Sequence, residues 1–418
     1  MQKLIIKGKK KLSGSIIISG SKNASLPILA ATILSNKKIK LRNVPFVQDV
    51  TTMINLLKFI GLKIKTDISK KKLNIQSRKN LKTIAPYKLL RTMRAGVLVL
   101  GPLLARFKKA KVSLPGGCAI GTRPVNLHLF ALEKLGAKIK IKNGYIYANA
   151  KNGLKGNTIK FPSISVGATE NAILAAVSAK GKTILSNCAI EPEIQDMINF
   201  LKKMGCNITQ KGNRKIKIIG VKEFRPVDHE IIFDRIELGT YLIGAALVGT
   251  KINIHRIQSN IIKTELNILK KMGVKMKIEK NKITVLETKN LKKINIKTEP
   301  YPGFPTDLQA QMMVLMSKAK GNSKIKEEIF ENRFMHVPEL RRMGAKISIQ
   351  NNEATVEGPV NLSGAEVMAT DLRASVSLVL AALSAENQTI INRVYHLDRG
   401  YEHLEKKLKN CKANIKRV

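Results

Sequence analysis

Leu132-Glu133-Lys134-Leu135-Gly136-Ala137-Lys138-Ile139 decides the fold, because the chain repeats it. Two leucines three residues apart close a helical face, a glycine follows the last turn, and a strand opens on a basic residue. Glycine accepts the left-handed backbone that ends a helix. The pattern recurs as Leu57…Ile60-Gly61-Leu62-Lys63-Ile64 and Leu201…Met204-Gly205-Cys206-Asn207-Ile208. It returns as Leu269…Met272-Gly273-Val274-Lys275-Met276 and Leu340…Met343-Gly344-Ala345-Lys346-Ile347. The sixth copy, Leu408…Cys411-Lys412-Ala413-Asn414-Ile415, is degenerate. Copies end about 70 residues apart, which marks one supersecondary unit used six times.

Upstream of each copy lies a second half: a polar starter, an apolar helix rich in small residues, a Gly or Asn turn and a β-branched strand. The starters are Lys22-Asn23, Thr92-Met93-Arg94, Gly167-Ala168-Thr169, Arg235-Ile236-Glu237, Asp307-Leu308-Gln309 and Asp371-Leu372-Arg373. The helices that follow, such as Ala24 to Leu34 and Ala374 to Ala385, are apolar on nearly every face, as helices buried on all sides are. Each unit reads β-α-β-α-β-β, an α/β fold, and six units suggest three plus three. A polar stretch, Phe224-Arg225-Pro226-Val227-Asp228-His229-Glu230, follows the third. A first strand is expected over Leu4 to Ser19. Cys206 and Cys411 fall at or beside the cap and Cys188 after a strand, so all three read as structural.

Charged residues at the starters, Lys22, Arg94, Asp307, Asp371 and Arg373, stand where helices begin. Asp307 or Asp371 alone could be an N-cap. A cation there is electrostatically disfavoured unless it meets an anion. If the first helices pack in parallel, these ends gather on one face of each domain.

At 418 residues the chain is long enough for two or three domains, and an apolar share of 44% is ordinary for a globular protein. The start, Met1 to Lys11, lacks the apolar core of a signal peptide, and no apolar run approaches the roughly 18 residues a membrane span needs. Four cysteines, with no CxxC pair, suggest neither structural zinc nor a disulfide framework, so a reducing, cytoplasmic setting without a membrane partner is expected. The formal charge is +46. Its 58 lysines and 17 arginines are spread from end to end, with no nucleic-acid motif and no basic stripe interleaved with aromatics. The expectation is no specific nucleic-acid partner, only salt-sensitive adhesion to polyanions.

One loop stands apart: Leu114-Pro115-Gly116-Gly117-Cys118-Ala119-Ile120-Gly121-Thr122-Arg123-Pro124. Glycines let the backbone approach a ligand closely, and a thiol five residues before a guanidinium can be partly thiolate near neutrality. The residues alone leave open a buried cysteine beside an ordinary turn.

Taken together, Ser19-Gly20-Ser21-Lys22-Asn23-Ala24, Thr92-Met93-Arg94-Ala95, Pro115 to Cys118 with Arg123-Pro124, and Glu191-Pro192-Glu193-Ile194 are specific. So are Phe304 to Gln311, Phe330 to His336, Ala369 to Ala374 and His396 to Glu402. On these the chain resembles the enolpyruvyl transferases, in the branch whose acceptor is UDP-N-acetylglucosamine; the shikimate-3-phosphate branch shares the repeats but lacks the cysteine loop. The resemblance implies two inverse α/β-barrel-like domains of three repeats each, one of residues 22–229 and one of 1–21 plus 230–418. It implies transfer of the enolpyruvyl group of phosphoenolpyruvate to the sugar 3-hydroxyl by addition and elimination, with release of phosphate, as the first committed step of peptidoglycan precursor synthesis. No cofactor or metal is implied, and the oligomeric state is left open.

The same resemblance assigns roles. Lys22, Arg123 and Arg399 face the phosphate of phosphoenolpyruvate, Arg333 and Arg373 its carboxylate, and Asn23 joins Lys22 in binding it. Cys118 is implied as proton donor, as the residue that forms a covalent adduct with phosphoenolpyruvate, and as the target of the epoxide fosfomycin. Asp307 is implied as base for the sugar hydroxyl with Asp371 assisting, and Arg399 counts among the catalytic residues. For the nucleotide sugar the positions are Arg94, Arg123, Pro124, Val125, Asn126, Leu127, Ser163, Ile164, Ser165, Val166, Asp307 and Ile329. Asn126 stands where the family commonly has Asp, and Ser163 where some members have Lys. Because the candidates split between the domains, closure on the nucleotide sugar is expected to assemble the site. Two alternatives are a sister transferase with another acceptor and a basic polyanion-binding protein.

Overall fold

The computed structural model of the chain describes residues 2–116, 125–210, 212 and 214–418. The described residues form six four-stranded sheets with one common order. In the third repeat Thr158–Lys160 runs parallel to Lys182–Ser186, Thr158 opposite Ile184, and helix Val166–Ala176 crosses between them. Helix Pro192–Lys203 follows, and then the hairpin Asn207–Gln210 and Lys215–Ile219, whose second strand pairs antiparallel to Lys182–Ser186. A parallel pair needs a long crossover, whereas an antiparallel pair closes with a short turn. The β-α-β-α-β-β unit satisfies both.

The chain divides into two compact units, one made of Met1–Ser19 and Phe233–Val418, the other lying between Gly20 and Ile232. Each contains three of the sheets. The single strand expected over Leu4 to Ser19 is two strands, Leu4–Lys7 and Leu12–Ile17, which serve two different sheets. The break has a steric cause. A Cβ on Gly8 would lie 2.1 Å from the Ala385 carbonyl oxygen, and Lys9 takes a positive φ of 56°. Leu4–Lys7 pairs with Gln388–Asn392 and Asn414–Arg417, while Leu12–Ile17 runs parallel to Gly249–His255. In the other unit Val227–Glu230 returns to run parallel to Lys38–Arg42, supplying the strand that its first repeat lacks in sequence.

Helix Lys22–Ala31 buries nine of its ten residues, and helix Ser375–Ser384 likewise buries nine of ten. In one unit helices Arg235–Val248, Gln309–Met316 and Ser375–Ser384 pack on one another. In the other, Leu100–Phe107 packs on Val166–Ala176 and on the turn Thr32–Leu34. The closing signature is uniform in geometry. In all six copies the amide two residues past the last helical turn returns to the first leucine's carbonyl, at 3.0 Å in five and 3.1 Å from Ala413 to Leu408. Gly61, Gly136, Gly205, Gly273 and Gly344 have φ between 89° and 120°, and Lys412 does the same job at 70°.

Candidate active site

The site residues lie in both units, and each group holds together by its own chemistry. In the unit ending at Val418, the starts of the three central helices converge through their side chains. Asp234 caps helix Arg235–Val248, its Oδ1 accepting the Ile236 and Glu237 amides at 2.9 Å. Asp371 Oδ1 accepts the Arg373 and Ala374 amides at 2.7 and 2.8 Å. Asp307 sits on the short turn Thr306–Leu308 that leads into Gln309–Met316. Arg373 ties all three helix starts together. Its Nη2 lies 3.5 Å from Asp234 and its Nε 3.6 Å from Asp307, while its backbone is held by Asp371.

Arg373 is buried, with its guanidinium 5.2 Å from the Tyr401 ring centre and Nη1 donating to the Gly400 carbonyl at 3.3 Å. Burial opposes its charge, and Asp234, Tyr401 and Asp307 outweigh that, so its pKa is raised. Arg333 is the second clamp. It donates through Nη2 to Asp307 Oδ1 and through Nε to Thr306 Oγ1 at 3.1 Å, and its Nη1 lies 3.9 Å from Asp371. Asp307 is thus held by two guanidiniums at once. Behind it Glu327, also buried, accepts from Thr298 at 3.0 Å, Thr306 at 2.9 Å and the Ile329 amide at 3.0 Å. One carboxylate therefore orients both the hydroxyl that receives Arg333 and the loop bearing Ile329. Arg399 is half-buried at the end of the turn Tyr395–Asp398.

In the other unit Lys22 opens helix Lys22–Ala31, capped by Ser21, whose Oγ accepts the Ala24 amide at 3.2 Å. Lys22 is buried, and its Nζ lies 3.3 Å from Asp49. The anion that a cation at a helix start requires is therefore supplied from within, as Asp234 and Asp307 supply it for Arg373. Asn23 beside it is half-buried. Arg94 opens the turn Arg94–Val99, Val125 is buried, Asn126 is the exposed first residue of helix Asn126–Lys134, and Leu127 is half-buried. Ser165 caps helix Val166–Ala176 through its Oγ, at 3.3 Å from the Ala168 amide; Ser163 and Val166 are exposed and Ile164 half-buried.

A neutral pair fixes these two helices. Asn171 accepts the Gly101 amide at 2.7 Å, donates to the Val97 carbonyl at 3.2 Å and meets His128 Nδ1 at 3.1 Å. Burial first, and then Arg94, brings the His128 pKa down to about 4, so its imidazole is neutral. A Cβ on Gly101 would stand 2.4 Å from Asn171 Oδ1, so glycine is what lets the helices meet. Nearby, burial first and then Glu193 and Glu191 raise the pKa of Glu170.

Asp49, His128, Asn171, Asp234, Glu327 and Tyr401 are absent from the candidates drawn from sequence. Asp234 carries a visible signal, a cap residue before an apolar helix; the others act across long sequence separations. Cys118, Arg123 and Pro124 lie outside the described residues. The other cysteines are buried, and burial pushes Cys188 and Cys206 up to about 12 and Cys411 up to about 11. Such thiols are inert at neutral pH.

Cations paired with aspartates at helix starts, on repeats of this topology, are groups that can exchange one anionic partner for another. Residues 6–408 match the family described as EPSP synthase (3-phosphoshikimate 1-carboxyvinyltransferase), and the chain belongs to that family, the enolpyruvyl transferases. It is 63% identical over 418 residues, all of both chains, to the UDP-N-acetylglucosamine 1-carboxyvinyltransferase of Pelagibacter ubique (strain HTCC1062). It is 51% identical to the enzyme of the same name from Endomicrobium trichonymphae, over 100% of this chain and 99% of that one. Among solved structures it is similar to the enolpyruvyl transferase NikO from Streptomyces tendae, with a TM-score of 0.91 and 24% identity over 100% of this chain and 99% of the other. EPSP synthase from Acinetobacter baumannii gives 0.78 and 16% over the whole of both chains. These two likenesses show the fold, an α/β architecture of two repeat-built domains.

Proposed function

We propose that the chain transfers the enolpyruvyl group of phosphoenolpyruvate to the 3-hydroxyl of UDP-N-acetylglucosamine, releasing phosphate, and so opens peptidoglycan precursor synthesis. It is a carboxyvinyltransferase. The observation that carries the acceptor is full-length identity of 51–63% to relatives that bear that name. Phosphate release measured with each acceptor in turn tests it. Release is expected with UDP-N-acetylglucosamine and none with shikimate 3-phosphate; the reverse would transfer the chain to the sister branch.

Three proton transfers balance the chemistry, and the proton lost by the sugar hydroxyl leaves in net with the released phosphate. A proton goes to the methylene carbon, the sugar oxygen attacks the adjacent carbon and gives up its own proton, and the adduct then loses phosphate and a methyl proton to restore the double bond. Cys118 is the proposed donor. Lys22, Arg123 and Arg399 are proposed to hold the phosphate, and Arg333 and Arg373 the carboxylate, by charge-assisted hydrogen bonds, with Asn23 joining Lys22 in binding phosphoenolpyruvate. Arg94, Arg123, Pro124, Val125, Asn126, Leu127, Ser163, Ile164, Ser165, Val166 and Ile329 are proposed for the nucleotide sugar.

Asp307 is the proposed base, assisted by Asp371, and its setting says when it can act. In the free chain both arginines that would clamp the substrate carboxylate are on Asp307. A carboxylate so paired is a poor proton acceptor. When phosphoenolpyruvate claims Arg333 and Arg373, Asp307 shares its counter-charges with a second anion and its basicity rises. The base is switched on by the co-substrate. The acidic limb of kcat, which reports the bound complex, should then lie at higher pH than that of kcat/KM for phosphoenolpyruvate, which reports the free enzyme. Coincident limbs would remove the exchange.

A further inference from the structure

Strand pairing brings together what the linear sequence keeps apart. In the sheet of the second repeat, Lys138 and Lys109 stand opposite Asn149 from either side, Lys140 and Lys111 opposite Tyr147, and Lys142 and Ser113 opposite Tyr145. Directly paired residues share a face. One outer face therefore carries five lysines in two rows with two tyrosines between them. Lys109, Lys138, Lys140 and Lys142 are exposed, Tyr147 is 37% exposed, and Lys111 holds its ammonium 4.8 and 5.0 Å from the two ring centres. The Tyr145 hydroxyl accepts the Tyr87 amide at 3.3 Å, which fixes one ring in place. At the edge of the face an open depression of about 380 Å³ is lined by Lys82, Thr83, Ile84, Phe107 and Lys109 among others.

The other sheets show that this is more than a general excess of lysine. On the face of Lys38–Arg42, Asp228 pairs with Lys40 at 3.3 Å and with Arg42 at 2.8 Å. On that of Gly321–Lys326, Lys324 pairs with Glu353 at 2.9 Å, and Lys346 pairs with Glu357 at 3.1 Å. The face of Lys182–Ser186 has Lys182, Lys215 and Lys217 but no aromatic ring. None of the five lysines of the second-repeat face forms an ion pair among the described residues. From Ile68 to Thr169 the sequence holds 21 lysines and arginines and one acid, Glu133.

We propose that this face, Lys109, Lys111, Lys138, Lys140, Lys142, Tyr145 and Tyr147, binds a single-stranded nucleic acid. Rows of cations flanking aromatic rings suit a flexible chain of phosphates with exposed bases. Two tyrosines two residues apart on one strand stand about 6.8 Å from each other, a spacing that splayed successive bases can match. A duplex keeps its bases stacked inside and would use only the lysines. The absence of a basic stripe interleaved with aromatics holds for the linear order alone; the register of three strands creates one.

Fluorescence anisotropy of a labelled 12-nucleotide single strand, read against salt, tests this in the full chain. Tyr147→Ala should weaken binding on the order of tenfold and leave the salt slope unchanged. Lys138→Gln/Lys140→Gln/Lys142→Gln should reduce the slope by about 2, at roughly 0.7 for each phosphate no longer neutralised. Phosphate release with UDP-N-acetylglucosamine serves as the control for folding and should be unaffected in both. Three results would each overturn the proposal. One is a single strand bound no tighter than polyphosphate of equal charge. Another is equal loss of affinity on Lys182→Gln/Lys215→Gln/Lys217→Gln. The last is phosphatidylglycerol vesicles whose binding depends on Tyr147 while the oligonucleotide's does not.

Discussion

The two groups of site residues hold their geometry by opposite means. In the unit ending at Val418, Asp234, Asp307 and Asp371 alternate with Arg333 and Arg373, and every position is fixed by a charge on a neighbour. In the other unit, apart from Lys22 and Asp49, the helices that carry the nucleotide-sugar candidates are fixed by neutral hydrogen bonds from Asn171 and His128. Charges held by charges are ready to be exchanged with a charged substrate, at the risk of leaving a buried partner alone. Neutral bonds hold a helix start without competing for the anion it meets. The contrast is one of function as well as stability.

Removing one member from each group should show the largest difference. Arg373→Ala leaves Asp234 and Asp307 without their shared guanidinium, and breaking such a buried pair costs about 3–5 kcal/mol. Asn171→Ala removes neutral bonds and leaves the Gly101 amide without the acceptor it has on Asn171, while the Val97 carbonyl keeps the Leu100 amide, a loss that costs about 1–3 kcal/mol. Denaturant unfolding of both variants measures this. Use of phosphoenolpyruvate should fall steeply for Arg373→Ala, whereas Lys70→Ala, at an exposed lysine, should leave it unchanged. Equal stability losses for Arg373→Ala and Asn171→Ala would erase the contrast, and equal kinetic harm from Lys70→Ala would erase the role of positioned cations.

Acid should sharpen the contrast from the neutral side. Burial brings His128 down to about 4, while its unfolded value stays near 6.5. Between those values the unfolded chain takes up a proton that the folded chain refuses, so stability is lost as pH falls through the window and is fully present above it. The loss reaches on the order of 3 kcal/mol at the lower end. His336 in the other unit is also buried and brought down to about 4, by burial above all, with Asp371 favouring its proton and Arg333 opposing it. His128→Gln should flatten the stability profile between pH 6.5 and 4 by about one histidine's share. A profile as steep as before would show that His128 is already protonated in the folded chain.

What could be read from the chain is what has local causes. The glycine ending each second helix, the apolar first helix and the β-branched strands need only neighbours in sequence, and all six repeats follow from them. Asp307, Asp371 and Arg373 are legible because they stand at helix starts, and the structure brings them together through Arg373. The pairing of Lys22 with Asp49, the bridge from Asn171 to His128 and the support of Glu327 depend on residues from 21 to 70 positions apart meeting in space. No period or motif encodes such a meeting. The same holds for the break at Gly8, which a carbonyl from the far end of the chain dictates. Cys188, Cys206 and Cys411 read as structural, and all three are buried, because a small apolar residue at a cap or strand end is buried by the repeat itself.

The smallest effect belongs to the one place where the repeats disagree. Five copies end their second helix on glycine with positive φ, and the sixth, in the unit ending at Val418, uses Lys412 at 70°. The hydrogen bond that closes the turn is present in all six, from Ala413 to Leu408 at 3.1 Å in the last. The geometry is therefore shared by the repeats while the residue suited to it is not. A side chain in the left-handed region costs about 1–2 kcal/mol, because its Cβ crowds the following carbonyl. Glycine there would remove the crowding but return some backbone freedom to the unfolded chain, which offsets several tenths of a kcal/mol. Lys412→Gly should then stabilise the protein by about 0.5–1 kcal/mol, whereas Gly136→Ala, at φ 95° in the matching place of the other unit, should destabilise it by about 1 kcal/mol. Opposite signs at equivalent positions are the decisive outcome, and denaturant midpoints at pH 7.5, well above the histidine window, resolve them. If Lys412→Gly is neutral or destabilising, the lysine contributes something that glycine lacks, and the sixth repeat is not the strained copy its sequence implies.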